Sequence, residues 1–163
     1  MATPTRNVLF LCTGNSCRSI MAESILNHLG GGRFQAFSAG SQPAGSVNPN
    51  TLTLLDDRGH DATDLRSKAW DEFALPGAVE MDFIITTCDS AAGETCPIWP
   101  GHPSTAHWPF PDPWKFVGTQ AETMAHYGEV FDSIAARIAG FLALPLDDLD
   151  ETAIAGELKR LGG

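Results

Sequence analysis

The chain has 163 residues, 43% of them hydrophobic and 18% charged, a balance that suits one globular core and excludes a disordered or fibrous chain. Twenty acidic against ten basic side chains leave a formal charge of −10, which repels phosphate backbones and anionic lipid and argues against nucleic-acid or membrane partners. Four cysteines are too few for a disulfide scaffold in a chain of this length, so each needs its own explanation.

The N-terminus carries one cation and a short apolar run, not a targeting segment. No apolar stretch approaches the roughly 20 residues needed to span a bilayer. A cytoplasmic location is expected, where thiols stay reduced and a disulfide belongs to a reaction more often than to a scaffold.

The elements follow in chain order. Residues 7–12, Asn-Val-Leu-Phe-Leu-Cys, form a near-continuous apolar run of the kind found in parallel strands covered on both faces. From Ser19 to Leu29 the residues Ile20, Ala22, Ile25, Leu26 and Leu29 share one helical side, ended by three glycines. Residues 33–38 alternate as a strand. Asn48 and Pro49 read as an N-cap and first helical residue of a helix running to Gly59. A short helix is expected over 67–73, stopped by Pro76-Gly77, and a second buried strand over 82–88. A weaker strand at 105–108 precedes a proline-rich loop. The longest helix is expected over 119–144, and an acidic amphipathic piece over 147–161.

Strands alternating with helices imply a single α/β domain over 1–163 with an open, mostly parallel sheet, 145–163 forming a C-terminal acidic helical extension. Ligands bind such sheets beyond the carboxyl ends of the strands. Two of the expected strands end in cysteine, at Cys12 and Cys88.

Between the first strand and first helix runs Cys12-Thr13-Gly14-Asn15-Ser16-Cys17-Arg18-Ser19. Successive backbone N–H groups in a strand-to-helix turn converge on one point, and the helix N-terminus adds a favourable dipole, so the loop suits a tetrahedral oxyanion. Gly14 permits a close backbone path, and Arg18 returns one turn later with a bidentate fork. The same positive field favours the thiolate of Cys12 and makes it the candidate nucleophile. Ser19 is placed to donate to that thiolate, and Asn15 to hold the loop. Cys17 shares the loop, but with the nucleophile position taken it reads as a non-catalytic thiol. Downstream, Pro109-Phe-Pro-Asp-Pro-Trp114 is a rigid loop bearing one carboxylate, Asp112, fixed by proline on both sides.

Residues 11–23, with Phe37-Ser-Ala-Gly40, Val47-Asn-Pro49, Cys88-Asp89, Thr95-Cys96-Pro97, His107-Trp108 and Asp112-Pro113, resemble the arsenate reductases built on the low-molecular-weight tyrosine phosphatase fold. The resemblance spans about residues 7–143 and implies a three-layer sandwich around a central, mostly parallel four-stranded sheet. It implies a relay in which Cys12 attacks arsenate, Asp112 protonates the departing oxygen, Cys88 attacks Cys12 to release arsenite, and Cys96 moves the disulfide outward to Cys88–Cys96. The gap between Cys88 and Cys96 is seven residues, slightly wider than is common in thioredoxin-coupled members.

No tightly bound cofactor is implied. Thioredoxin is the implied external reductant, with glutathione/glutaredoxin or mycothiol as alternatives. Two other readings use the same loop: a low-molecular-weight protein tyrosine phosphatase, needing Cys12, Arg18 and Asp112 but neither Cys88 nor Cys96, and a non-catalytic anion-binding or redox-sensing module. Phosphatases of this fold carry tyrosines beside the corresponding Asp; Trp114 and Phe116 follow here, and the sole tyrosine, Tyr127, falls in the long helix. A zinc site from Cys88, Cys96, His102 and His107 is disfavoured because no cysteine pair has the usual two-to-four-residue spacing. His28, His60 and His126 read as solvated or cap residues. Some family members bind potassium through side chains matching Asn15, Glu23 and Ser38 and a segment matching 64–68. Arg66 and Lys68 occupy that segment here, where an ammonium can replace the ion.

Overall fold

The structure, a computed structural model, describes residues 5–87 and 103–162. Cys88, Cys96 and His102, and with them the end of the strand expected over 82–88, lie outside the described residues.

The first apolar run forms β1 (Arg6–Cys12), followed by α1 (Arg18–Leu29), β2 (Phe34–Gly40) and α2 (Pro49–Asp57). Then come β3 (Phe83–Thr86), β4 (Ser104–His107), α3 (Gln120–Leu142) and α4 (Glu151–Gly162). All pairings are parallel, in the order β2-β1-β3-β4. The side chains of β1 alternate between two apolar layers. Val8 and Phe10 pack with Ile20, Ile25, Ile134, Ile138 and Phe141 from α1 and α3. Leu9 and Leu11 pack on the other face with Trp70, Phe73 and Ile84. Burial on both faces is the physical reason for a continuous apolar run in place of an alternating one. The result is the three-layer α/β sandwich expected.

Local signals set the helix boundaries. The Asn48 side chain accepts from the N–H groups of Asn50 and Thr51, with Pro49 at the first helical position. Thr119 and Glu122 form a reciprocal capping box at the start of α3. The C-terminal extension docks: α4 buries Ile154 and Leu158, and Trp108 Nε1 donates to the Leu158 carbonyl at 2.9 Å.

The expected helix over 67–73 is a correction. Only Trp70–Phe73 turns, as a 3-10 helix, and the residues before it run as a strap beside β2. Ala69 bridges Gly40 in parallel, and Gly40 N donates to Lys68 O at 2.9 Å. The sheet edge offers backbone partners that local helical spacing cannot show, and the tertiary ladder wins.

β1 connects to β2 on one side and pairs with β3 on the other. Its carboxyl end is therefore a topological switch point, where open α/β sheets place their ligands. Cys12 is the last residue of β1.

Candidate active site

The loop after β1 is shaped by donors that hold its carbonyls outward. Thr13 O accepts from Gln42 N, Gly14 O from Ala44 N, and Ser16 O from Asn48 N. Ser67 Oγ also donates to Gly14 O, at 3.1 Å. A peptide whose carbonyl is tied outward presents its N–H to the opposite side, which makes the inner wall a cluster of donors. Among the described residues no side chain caps the N-terminus of α1, which starts at Arg18, so its first amides and its dipole face the same point. Asn15 turns the corner at φ +48°, a left-handed conformation that asparagine tolerates better than most residues. Gly40, opposite Cys12 in register, is required by close approach: a Cβ there would lie 2.9 Å from Cys12 O and closer still to Thr13 O.

Cys12 Sγ sits at the base of this loop and accepts from donors behind it. Asn15 N reaches it at 3.3 Å and Ser19 Oγ at 3.4 Å. Ser19 in turn accepts from Asn15 Nδ2 at 2.9 Å, and Asn15 Oδ1 accepts from Lys68 N at 2.9 Å. Asn15 and Ser19 are both fully buried, so the chain from the strap to the sulfur is shielded from water. Hydrogen bonds to the charged form favour it, and the thiolate is the nucleophile.

Arg18 does not hang free over the loop. Its Nη1 donates to Phe110 O at 3.1 Å, and its Nη2 stands 3.7 Å from Asp112 Oδ2. Asp112 Oδ1 accepts from Trp114 N at 3.0 Å, capping the turn Pro113–Lys115. One carboxylate oxygen thus anchors the side chain and the other faces the arginine. These groups line a cleft of about 520 Å³ whose walls include Cys12, Gly14, Arg18, Phe110, Asp112 and Trp114, within the size range of ligand pockets. Trp114 is 61% exposed at its mouth.

The second loop cysteine, Cys17, sits in a different setting. Burial pushes the Cys17 thiol up, against smaller opposing effects of Thr51, Ser16 and Tyr127. Its sulfur lies 4.0 Å from the Tyr127 hydroxyl, itself pushed up to about 12 by burial and the neighbouring sulfur. Cys17 lines the cleft, and its contacts are side-chain hydroxyls, Ser16 Oγ at 3.8 Å and Tyr127.

Of the residues singled out in the sequence, Cys12, Thr13, Gly14, Ser16, Cys17, Arg18 and Asp112 meet in the cleft, while Asn15 and Ser19 stand behind it as supports. Cys88 and Cys96 lie outside the described residues. The sequence reading missed the Phe110 carbonyl and Tyr127, and it placed a helix where the strap at 66–69 runs. A backbone carbonyl has no side-chain signature, and Tyr127 sits on an ordinary apolar helix stripe. Phe116 belongs to a neighbouring hollow, stacked on His126 at 4.7 Å. His28 and His60 stack on each other at 4.3 Å, with His60 Nδ1 2.8 Å from Ser24 Oγ.

The potassium ligands of the family resemblance are engaged otherwise here. Asn15 Oδ1 is taken by Lys68 N, and Glu23 Oε1 accepts from Ser38 Oγ at 2.5 Å and faces Lys68 Nζ at 3.7 Å. Burial pushes the Glu23 carboxyl up and the Lys68 ammonium down, and each is the other's main opposing influence. An ammonium already stands against these oxygens, so they do not fit a resident cation.

The family model for low molecular weight phosphotyrosine protein phosphatases matches residues 7–153. An arsenate reductase of Shouchella clausii is 40% identical over 134 residues, 82% of this chain and 93% of its own length. Among solved structures, an arsenate reductase in its phosphate-binding state has a TM-score of 0.68 at 26% identity, covering 85% of this chain and 97% of that one. The thioredoxin-dependent arsenate reductase of Corynebacterium glutamicum has a TM-score of 0.53 at 27% identity, covering 83% of this chain and 65% of that one. The chain belongs to the low-molecular-weight phosphotyrosine protein phosphatase family and, within it, to the group around the arsenate reductases.

Proposed function

We propose that the protein reduces arsenate to arsenite, with Cys12 as nucleophile and an external thiol donor as the source of electrons. The observation that carries this reading is the donor set on Cys12 Sγ, Asn15 N at 3.3 Å and Ser19 Oγ at 3.4 Å. It faces a cleft shared with Arg18 and Asp112. The 40% identity to an arsenate reductase supports the choice of substrate.

The loop amides and Arg18 bind the oxyanion's charge. The Cys12 thiolate attacks arsenic, forming a sulfur–arsenic bond, while Asp112 Oδ2 delivers a proton to the oxygen that leaves as water. Cys88 then attacks Cys12 Sγ. The sulfur–arsenic bond breaks with its electron pair going to arsenic, so As(V) becomes As(III) and a Cys12–Cys88 disulfide forms. Attack by Cys96 on Cys88 returns Cys12 as thiolate and leaves Cys88–Cys96 for the external dithiol to reduce. The cleft, about 520 Å³, is large enough to admit a tetrahedral oxyanion. Thioredoxin is the proposed donor, supported by the thioredoxin-dependent structural relative.

The test is arsenate-dependent loss of NADPH in the presence of thioredoxin and thioredoxin reductase, repeated with glutaredoxin and mycothiol systems. Absence of arsenate-dependent oxidation with every donor refutes the reading. Cys88→Ser is expected to abolish arsenate turnover while leaving hydrolysis of an artificial aryl phosphate intact. Survival of both activities removes the relay.

A further inference from the structure

The pair Lys68 and Glu23 is the one strongly buried ion pair among the described residues that the proposed chemistry leaves unused. Lys68 is 8% exposed. Its Nζ donates to the Arg66 carbonyl at 2.9 Å and faces Glu23 Oε1 at 3.7 Å, the oxygen that also accepts from Ser38 Oγ. The same residue's backbone N–H holds Asn15 Oδ1, from which hydrogen bonds run through Ser19 to Cys12 Sγ. A single residue of the strap therefore touches the nucleophile's support through its main chain and the carboxylate of α1 through its side chain.

Glu23 lies one helical turn beyond Ser19 on α1. A buried carboxylate without a counter-charge is costly, and the structure relaxes to hydrate or neutralise it. Relaxation at Glu23 would loosen the turn that carries Ser19 and Arg18. A free monovalent ion supplies such a counter-charge only when its concentration suffices. A tethered ammonium supplies it at every ion concentration.

We infer that Lys68 is the built-in cation of the oxyanion loop, a positioning residue whose tethered ammonium makes loop order independent of dissolved monovalent cations. The inference rests on the oxyanion-binding part of the proposed function and not on the relay.

Binding of inorganic phosphate, followed by calorimetry, tests it without any arsenate turnover, so its failure and that of the reductase assay are read separately. Affinity and thermal midpoint are measured in potassium, sodium and choline chloride at matched ionic strength. The unaltered protein is expected to give the same values in all three. Lys68→Ala opens a space of ionic size. In choline it is expected to bind phosphate about tenfold more weakly, the low end of losses on removing outer-shell partners, with most of the loss recovered in potassium and a higher thermal midpoint there. Lys68→Met fills the space without charge and is expected to stay weak in every salt. Should Lys68→Ala fold in no salt, Lys68→Ser, which leaves the same space and adds a small hydroxyl, carries the same comparison. Potassium-dependent affinity in the unaltered protein overturns the inference. So does a Lys68→Ala protein that binds normally in choline, or one whose loss no monovalent cation restores.

Discussion

Ser19→Ala isolates the support of the nucleophile. The hydroxyl is fully buried and donates to Cys12 Sγ at 3.4 Å. A hydrogen bond to a charged group is worth about 1.5–3 kcal/mol, and the length of this one puts it at the lower end. A loss of about 1.5 kcal/mol from the thiolate alone reduces its population roughly tenfold at any pH where the thiol predominates. The assay is the alkylation rate of Cys12 by iodoacetamide against pH, with Cys17, Cys88 and Cys96 replaced by serine so that one thiol reports. On the acid limb, where rate follows thiolate fraction, Ser19→Ala is expected to react about tenfold more slowly. At high pH the two rates converge, because the substitution changes how much thiolate exists and not the access to it. Equal rates on the acid limb would show that the Ser19 proton does not serve the sulfur and would refute the reasoning. A uniform drop at all pH values would assign the effect to access.

Gly40→Ala places a methyl against the carbonyls of Thr13 and Cys12. Backbone cannot yield as a side-chain tip does, so a destabilisation of about 3 kcal/mol, the upper part of the overpacking range, is expected in urea unfolding, with loss of phosphate binding. Cys17→Ser is expected to keep arsenate-dependent NADPH oxidation within about threefold, under ~1 kcal/mol, because burial holds that thiol neutral; a larger loss would give Cys17 a part in the chemistry. Burial, then His28 and Arg58, hold His60 below its ordinary 6.5. The folded state therefore binds fewer protons than the unfolded chain just below pH 6.5, and stability falls as pH drops through that window. Urea midpoints at pH 7.5, 6.5 and 5.5 are expected to fall less steeply for His60→Gln than for the unaltered protein.

Much of the site was legible because its parts are contiguous. Residues 7–19 contain a strand, a turn and a helix start, and the period of their apolar residues locates Cys12 at the strand's end and Arg18 at the helix's beginning. Asp112 was legible because proline on both sides marks a fixed loop. The strap at 66–69 was not. Ala69, Trp70 and Phe73 have helical spacing, and only the edge of β2 at Gly40 draws the preceding residues straight. The partner of Arg18 is a main-chain oxygen at Phe110, and no residue type announces that. Lys68 stood out only through the family resemblance; what the structure adds is that its main chain and side chain serve the loop together.

Trp108 Nε1 donates to a carbonyl 50 residues further along the chain, at Leu158. The wall bearing Phe110 and Asp112 begins two residues after that tryptophan. The parts of the oxyanion loop, by contrast, all fall between Cys12 and Lys68. In a chain made from its N-terminus, the loop's components are complete long before α4 is available to fix Trp108. The acid-bearing wall is thus tied through Trp108 to the last helix, while every part of the anion cradle precedes that helix in the chain.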